Sequence, residues 1–182
     1  MIEVERKYRG SPAVIEAVLA IAEGTGERVE QTDLYLNAPD RDFAVTDEAL
    51  RLRSTTPADG ETRVAITYKG PRATDAEKAR TEYEVGVEAL GTTAAIFEAL
   101  GYTEVARVEK QRRRWRWADM EVAVDTLAGG GRYIELERTV TAAATVAAAD
   151  AKLAEQAAQL GLSDSELEPR SYLEIVLDDA HE

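Results

Sequence analysis

The chain has no cysteine and one histidine, His181, next to its last residue. Without thiols there is no disulfide framework, zinc-thiolate site or cysteine nucleophile, and a mechanism built on histidine is disfavoured. No stretch of about 18 apolar residues occurs, so no helix can span a membrane and no membrane partner is expected. The first residues, Met1 to Lys7, alternate charged and apolar side chains instead of forming a leader, and the expectation is a soluble, cytoplasmic protein. Lysine is scarce: Asp and Glu number 35 against 22 for Lys and Arg together, giving a formal charge of −13. That balance argues against a nonspecific nucleic-acid binder, which needs a basic surface to release counterions. An acidic, lysine-poor, Ala- and Thr-rich chain suits a salt-adapted cytoplasm, where screening relieves self-repulsion. A high-GC genome would give a similar composition, and the sequence leaves both open.

What is present is globular: 182 residues, 45% hydrophobic and 31% charged, enough for a sizeable core and one domain spanning residues 1–182. Ser11-Pro12 starts a helix whose apolar positions Val14, Ile15, Val18, Leu19 and Ala22 run to Gly24. Further helices are expected from about Thr92 to Leu100 and from about Thr145 to Leu160, each followed by glycine. Nearly everything else alternates, at about 2–9, 29–37, 49–55, 62–69, 80–87, 103–117, 120–127, 132–140 and 171–178, which reads as strands. Pro57-Ala58-Asp59-Gly60, Lys69-Gly70-Pro71 and Gly129-Gly130-Gly131 mark turns.

The alternating residues carry the chemistry. Glu3, Glu5, Lys7 and Arg9 share one strand face, and Ile2, Val4 and Tyr8 the other. The same split recurs for Arg51 and Arg53; for Arg63 and Lys69; for Arg80, Glu82 and Glu84; for Lys110, Arg112, Arg114 and Arg116; for Glu121 and Asp125; and for Glu135 and Glu137. A single charged face is ordinarily a solvated one. Repeated on nearly every strand, it suggests a sheet whose apolar faces lie under the helices. The charged faces of such a sheet lie either flat to solvent or curled inward, and closing it into a barrel removes its edges. An interior of interleaved carboxylates and cations suits metal ions plus a polyanion. Trp115 and Trp117 alternate away from the basic face and are expected to pack against a helix. There is no G-x-x-x-x-G-K-[ST] loop, so side chains must hold any phosphate.

Glu3-Val4-Glu5-Arg6-Lys7 has an E-x-E-x-K form, followed in order by Asp33-Leu34-Tyr35, Leu50-Arg51-Leu52-Arg53 and Thr67-Tyr68-Lys69-Gly70-Pro71. Arg80-Thr81-Glu82-Tyr83-Glu84, Val108-Glu109-Lys110-Gln111-Arg112, Asp125 and Glu135-Leu136-Glu137 complete the series. Over residues 1–178 this resembles the CYTH superfamily, the triphosphate tunnel metalloenzymes, which includes class IV adenylate cyclases and thiamine triphosphatases. The segments Pro39 to Leu50, with Arg41, and Arg170 to Glu174 look most like the class IV cyclase branch. The resemblance implies an α+β fold, a closed antiparallel eight-stranded β-barrel with flanking helices, whose tunnel binds ATP or another triphosphate with Mg²⁺ or Mn²⁺. It implies Glu3, Glu5, Asp125, Glu135 and Glu137 as metal ligands and Lys7, Lys69 and Lys110 as catalytic lysines. Arg41, Arg51, Arg53, Arg80 and Arg112 are the implied substrate ligands, with Glu82 and Glu84 behind them; Tyr133, which by parity shares the carboxylate face with Glu135, is a supporting candidate there, and pairing of two copies as a homodimer is left open. Cyclisation of ATP to cyclic AMP is the first expectation. A metal-dependent triphosphatase, acting on tripolyphosphate, thiamine triphosphate or a nucleoside triphosphate, is the second, and a noncatalytic polyphosphate or nucleotide binder the third.

Overall fold

The computed structural model describes residues 2–21, 26–72 and 80–179. Eight strands follow in chain order: β1 (Ile2–Arg9), β2 (Glu27–Asn37), β3 (Ala49–Pro57), β4 (Arg63–Arg72), β5 (Arg80–Val87), β6 (Thr103–Trp117), β7 (Met120–Leu127) and β8 (Arg132–Val140). The helices are α1 (Pro12–Ile21), α2 (Phe43–Thr46), α3 (Leu90–Ala99), α4 (Val146–Gln159) and α5 (Tyr172–Asp179). None of them is long and apolar enough to cross a membrane. The chain divides into two compact units: Met1–Arg28 with Lys110–Pro169, and Val29–Glu109 with Arg170–Glu182.

In the first unit Val4 and Tyr8 of β1, Trp115 of β6, Val122 and Val124 of β7, and Ile134 and Leu136 of β8 form one core with Ile15 and Val18 of α1 and Leu153 of α4. Each is the alternate residue of its strand, so period-two patterning puts every charged neighbour on the opposite face. Trp115 is in this core and Trp117 packs against it, as the alternation predicts. Arg6 lies on the core side and reaches out to α4, donating from Nε and Nη2 to Asp150 at 2.8 Å each. In the second unit Leu34 and Leu36 of β2 and Leu50 and Leu52 of β3 pack with Phe43, and Ile66, Tyr68, Ala94 and Phe97 close around them. The apolar side of β5 is not covered: Tyr83 is 68% and Val85 59% exposed.

The hydrogen-bonded strand order is β1-β8-β7-β6-β2-β3-β4-β5. Its end strands, β1 and β5, are not paired with each other among the described residues, so the expected closed barrel is corrected to an open eight-stranded sheet. The outer edge of β1 shows a reason. Tyr8 bridges to Leu167, and Glu168 N donates to Lys7 O at 2.8 Å. The segment after α4 thus occupies the edge that closure requires, satisfying backbone groups that would otherwise template pairing.

A second correction is α5. Residues 171–178 read as a strand in the sequence, but Tyr172–Asp179 is a helix with Tyr172 and Ile175 buried. Ser171 and Glu174 supply a reciprocal cap: Ser171 N donates to Glu174 Oε2 at 2.6 Å, and Glu174 N to Ser171 Oγ at 3.2 Å. This S-x-x-E pattern satisfies two orphan amide donors of the first turn, and it outweighs the β-branched Ile175-Val176 pair.

Candidate functional site

In the first unit the register stacks charged residues in rows. Glu5 of β1 lies opposite Glu137 of β8, and Glu137 opposite Glu121 of β7, so three carboxylates stand side by side. The next row runs from Lys7 to Glu135 and on to Ala123. The third places Tyr133 opposite Asp125 and Asp125 opposite Arg112 of β6. The structure therefore brings Glu5, Lys7, Arg112, Asp125, Glu135 and Glu137 onto one face of this unit, with Glu3 and Lys110 at neighbouring positions on it.

The rows differ in how their charge is balanced. Asp125 is 0% exposed and accepts from Lys110 Nζ at 3.0 Å and from Arg112 at 2.8 and 2.6 Å. Arg112 Nη2 also donates to Glu135, and Ala123, the small residue opposite Glu135, leaves room for that reach. Burial alone would raise both acids, but Lys110 and Arg112 beside Asp125 hold it below the usual carboxylate range. Arg112, Lys110 and Lys7 do the same for Glu135. Lys7 Nζ lies 3.4 Å from Glu5 and 3.5 Å from Glu135; burial opposes its charge, yet the two carboxylates keep its pKa raised. The carboxylate row has the opposite balance. Desolvation, then Glu3 and Glu121, push Glu137 up to about 8, and desolvation with Glu135 pushes Glu5 up to about 7 against the pull of Lys7.

Hard oxygen donors grouped in this way fit a divalent ion such as magnesium or manganese. Glu3, Glu5 and Glu137 are the residues that would hold it. Asp125 and Glu135, the other two expected ligands, are ion-paired with Lys110, Arg112 and Lys7, as Glu5 is with Lys7. As the side chains stand, no three acidic or histidine groups among the described residues converge on one point, so an ion would have to draw the row together. Gly130 N donates to Leu127 O at 2.9 Å and Leu127 N to Gly131 O at 2.8 Å, making the triple-glycine segment the β7–β8 turn and not a phosphate cradle. A Cβ on Gly131 would lie 2.9 Å from the Tyr133 ring, so a larger residue there would have to displace it.

The second unit carries its own charged face. Arg53 of β3 is gripped through Nε and Nη2 by Asp33 of β2 at 2.6 Å each, and Arg51 Nη1 lies 4.0 Å from the same carboxylate. Arg51 Nη2 donates to Thr67 Oγ1 at 3.4 Å, and Thr67 in turn donates to Glu84 at 2.8 Å. Lys69 sits 3.2 Å from Glu82. Arg80 opens β5, but its side chain lies outside the described residues, as does His181. Asp33 and Thr67, buried at the centre of this group, have no assigned role in the sequence reading. Their signal is parity: Asp33 faces Arg53 and Thr67 faces Arg51.

Arg41 is placed elsewhere, in the exposed turn before β3. Its Nε and Nη2 donate to Glu48 at 2.8 and 3.0 Å, Nη1 donates to Asp40, and its guanidinium lies over Phe43. Tyr68 Oη donates to Glu48 at 2.5 Å, and Thr46 Oγ1 donates to the same carboxylate at 2.6 Å. These bonds, Arg41 first, lower Glu48 to about 2. A carboxyl whose folded pKa is depressed adds stability above its ordinary pKa and loses it as the pH falls toward the folded value. Wild type is therefore expected to exceed Glu48→Gln in urea midpoint at pH 6, with the gap closing between pH 4.5 and about 2.5. A gap constant over that range would remove Glu48 as the ionised anchor of the loop.

The chain as a whole is similar to known proteins. The model of the CYTH domain matches residues 1–172. MJ0240, a Methanocaldococcus jannaschii protein with a provisional adenylate cyclase name, is 33% identical over 177 residues, 96% of this chain and 98% of its own. Adenylate cyclase CyaB of Aeromonas hydrophila is 30% identical over 173 residues, 93% of this chain and 86% of its own. The solved structure of PH1819 from Pyrococcus horikoshii superposes with a TM-score of 0.88 at 33% identity, covering 97% of this chain and 99% of that one. A Hippeastrum protein whose description reports a dominant triphosphatase activity superposes at 0.67 with 16% identity, over 98% of this chain and 95% of its own. At that distance the likeness is one of fold alone.

Proposed function

Because the chain belongs to the CYTH domain family, we propose that it is a class IV-type adenylate cyclase, converting ATP to 3′,5′-cyclic AMP and pyrophosphate with Mg²⁺ or Mn²⁺. The first unit's charged face supports the metal and triphosphate part of this reading, and the adenylate cyclase names of the two relatives above support cyclisation. On that face a row of carboxylates, Glu5, Glu137 and Glu121, adjoins buried Lys7, Lys110 and Arg112. A divalent ion held by Glu3, Glu5 and Glu137 would polarise phosphate oxygens and ease ionisation of the ribose 3′-hydroxyl. Lys7, Lys110 and Lys69 act as point charges on phosphate, and Arg112, Arg51, Arg53 and Arg80 as planar forks. Cations of this kind offset the charge that builds as the 3′-oxygen attacks the α-phosphorus and pyrophosphate departs. Glu135 and Asp125 hold Lys7, Lys110 and Arg112 in their charged forms, and Glu82, Glu84 and Tyr133 keep their neighbours oriented. No separate general base is needed. The whole chain, residues 1–182, is proposed to act as one CYTH domain, in the cytoplasm where ATP and magnesium are abundant.

Hydrolysis of a triphosphate is the second reading, and one observation favours it. The two segments that look cyclase-like are spent on structure: Arg41 closes a turn onto Glu48, and Tyr172 is buried at the start of α5. Fold and charge serve both reactions, because a fold does not choose the chemistry. The test is product identity after incubation with ATP and Mg²⁺ or Mn²⁺. Cyclic AMP with pyrophosphate is expected, and tripolyphosphate should inhibit without rapid cleavage, since it fills the phosphate ligands but brings no 3′-hydroxyl. Phosphate as the main product moves the protein to the triphosphatases, and no product at all makes it a binding module.

A further inference from the structure

The second unit contains a buried carboxylate that neither reaction consumes. Asp33 is 1% exposed and sits on β2 directly opposite Arg53, which it holds through two bonds of 2.6 Å. Arg51, two residues away on the same strand and so on the same face, lies 4.0 Å from it. Thr67 supports Arg51 from β4 and is itself tied to Glu84 of β5. One donor of this assembly lacks an acceptor: Arg51 Nε is buried and has no hydrogen-bond partner among the described residues. A buried guanidinium N–H without an acceptor is costly and leaves a place for an oxygen ligand beside the contact that Arg51 makes with Tyr35. The first unit uses the same device, since Asp125 of β7 binds Lys110 and Arg112 of the strand beside it.

We propose that Asp33 is a positioning residue, a buried anchor that fixes Arg53 and Arg51 as one oriented fork for a polyphosphate. The inference rests on the reading of Arg51 and Arg53 as phosphate ligands. Two long side chains left to themselves would each lose rotamer freedom on gripping a ligand, and an anchor that orders them beforehand removes that cost. The anchor also has a cost: its negative charge repels any anion nearby. Charge and geometry therefore act in opposite directions and can be separated. If Asp33 served only as a counter-ion, its removal would favour the more highly charged ligand. If it aims the fork, its removal penalises the ligand that needs two aligned donors.

The measurement is the ratio of affinities for pyrophosphate and sulfate, by calorimetry on the full chain in magnesium buffer. Neither anion is turned over under the readings above. Asp33→Asn is expected to lower the pyrophosphate-to-sulfate ratio about tenfold, whatever happens to the two affinities together. Asp33→Glu keeps the charge, and with it the compensation that Arg53 needs for folding, but moves the anchor by one methylene. It is expected to lower the ratio about threefold, and it carries the question should Asp33→Asn fail to fold. A ratio that is unchanged or higher in the folded variants overturns the positioning role while leaving the phosphate reading intact. Failure of the wild type to bind pyrophosphate overturns both.

Discussion

Glu137→Gln is expected to abolish metal-dependent turnover, by at least about 10³-fold, while the metal-free protein melts at the same temperature as wild type or higher. Glu137 stands between Glu5 and Glu121 across the sheet, with Glu3 also close enough to act on its charge. One carboxylate fewer in such a row relieves repulsion in the empty protein and removes a ligand oxygen from the loaded one. Losing a Lewis acid forfeits several kcal/mol of charge stabilisation, and about 4 kcal/mol is a thousandfold in rate. Manganese titration by calorimetry, read beside turnover, separates ligand loss from damage to the fold. Full turnover at limiting metal, or unaltered manganese affinity, would remove Glu137 from the ligand set.

The largest stability effect is expected at Arg112. This one guanidinium serves Asp125 through two bonds and Glu135 through a third, and all three residues are buried. Truncation to alanine leaves two carboxylates short of positive charge in a place water reaches poorly. Breaking a buried pair by removing one partner typically costs about 3–5 kcal/mol. Arg112→Ala should show a loss of that order in urea unfolding, and Arg112→Lys, which keeps the charge but not the fork, a smaller one. A loss below about 1 kcal/mol would mean that the cluster is better solvated than its burial indicates.

The contrast between these two acidic groups marks how far the sequence could be read. Alternation from Ile2 to Arg9 and from Arg132 to Val140 is enough to place Glu3, Glu5, Glu135 and Glu137 on a face opposite Val4, Ile134 and Leu136. A slip of one residue would have moved every side chain, so the pattern is strongly constrained. Parity does not say which charge meets which. Asp125 and Glu135 have the same alternation as Glu137, yet their cross-strand neighbours bring Lys110 and Arg112 to them, while Glu137 meets other acids. That difference lies in register, which depends on turns such as Gly129-Gly130-Gly131. Closure was equally out of reach, because face patterning is the same in an open sheet and a barrel. The deciding contact is made by Leu167 and Glu168, about 160 residues from their partners on β1. The helix at Tyr172–Asp179 was legible in principle through Ser171 and Glu174, but its run of Leu173, Ile175, Val176 and Leu177 imitates a strand.

The choice between cyclisation and hydrolysis is tested most directly by comparing kcat/KM for ATP conversion to cyclic AMP with that for tripolyphosphate hydrolysis, under matched salt and metal. Only the cyclase needs a 3′-oxygen held in line with the α-phosphorus. The proposed function predicts a larger constant for cyclic AMP formation. Tripolyphosphate hydrolysis faster by tenfold or more, a transition-state preference of about 1.4 kcal/mol, would contradict it.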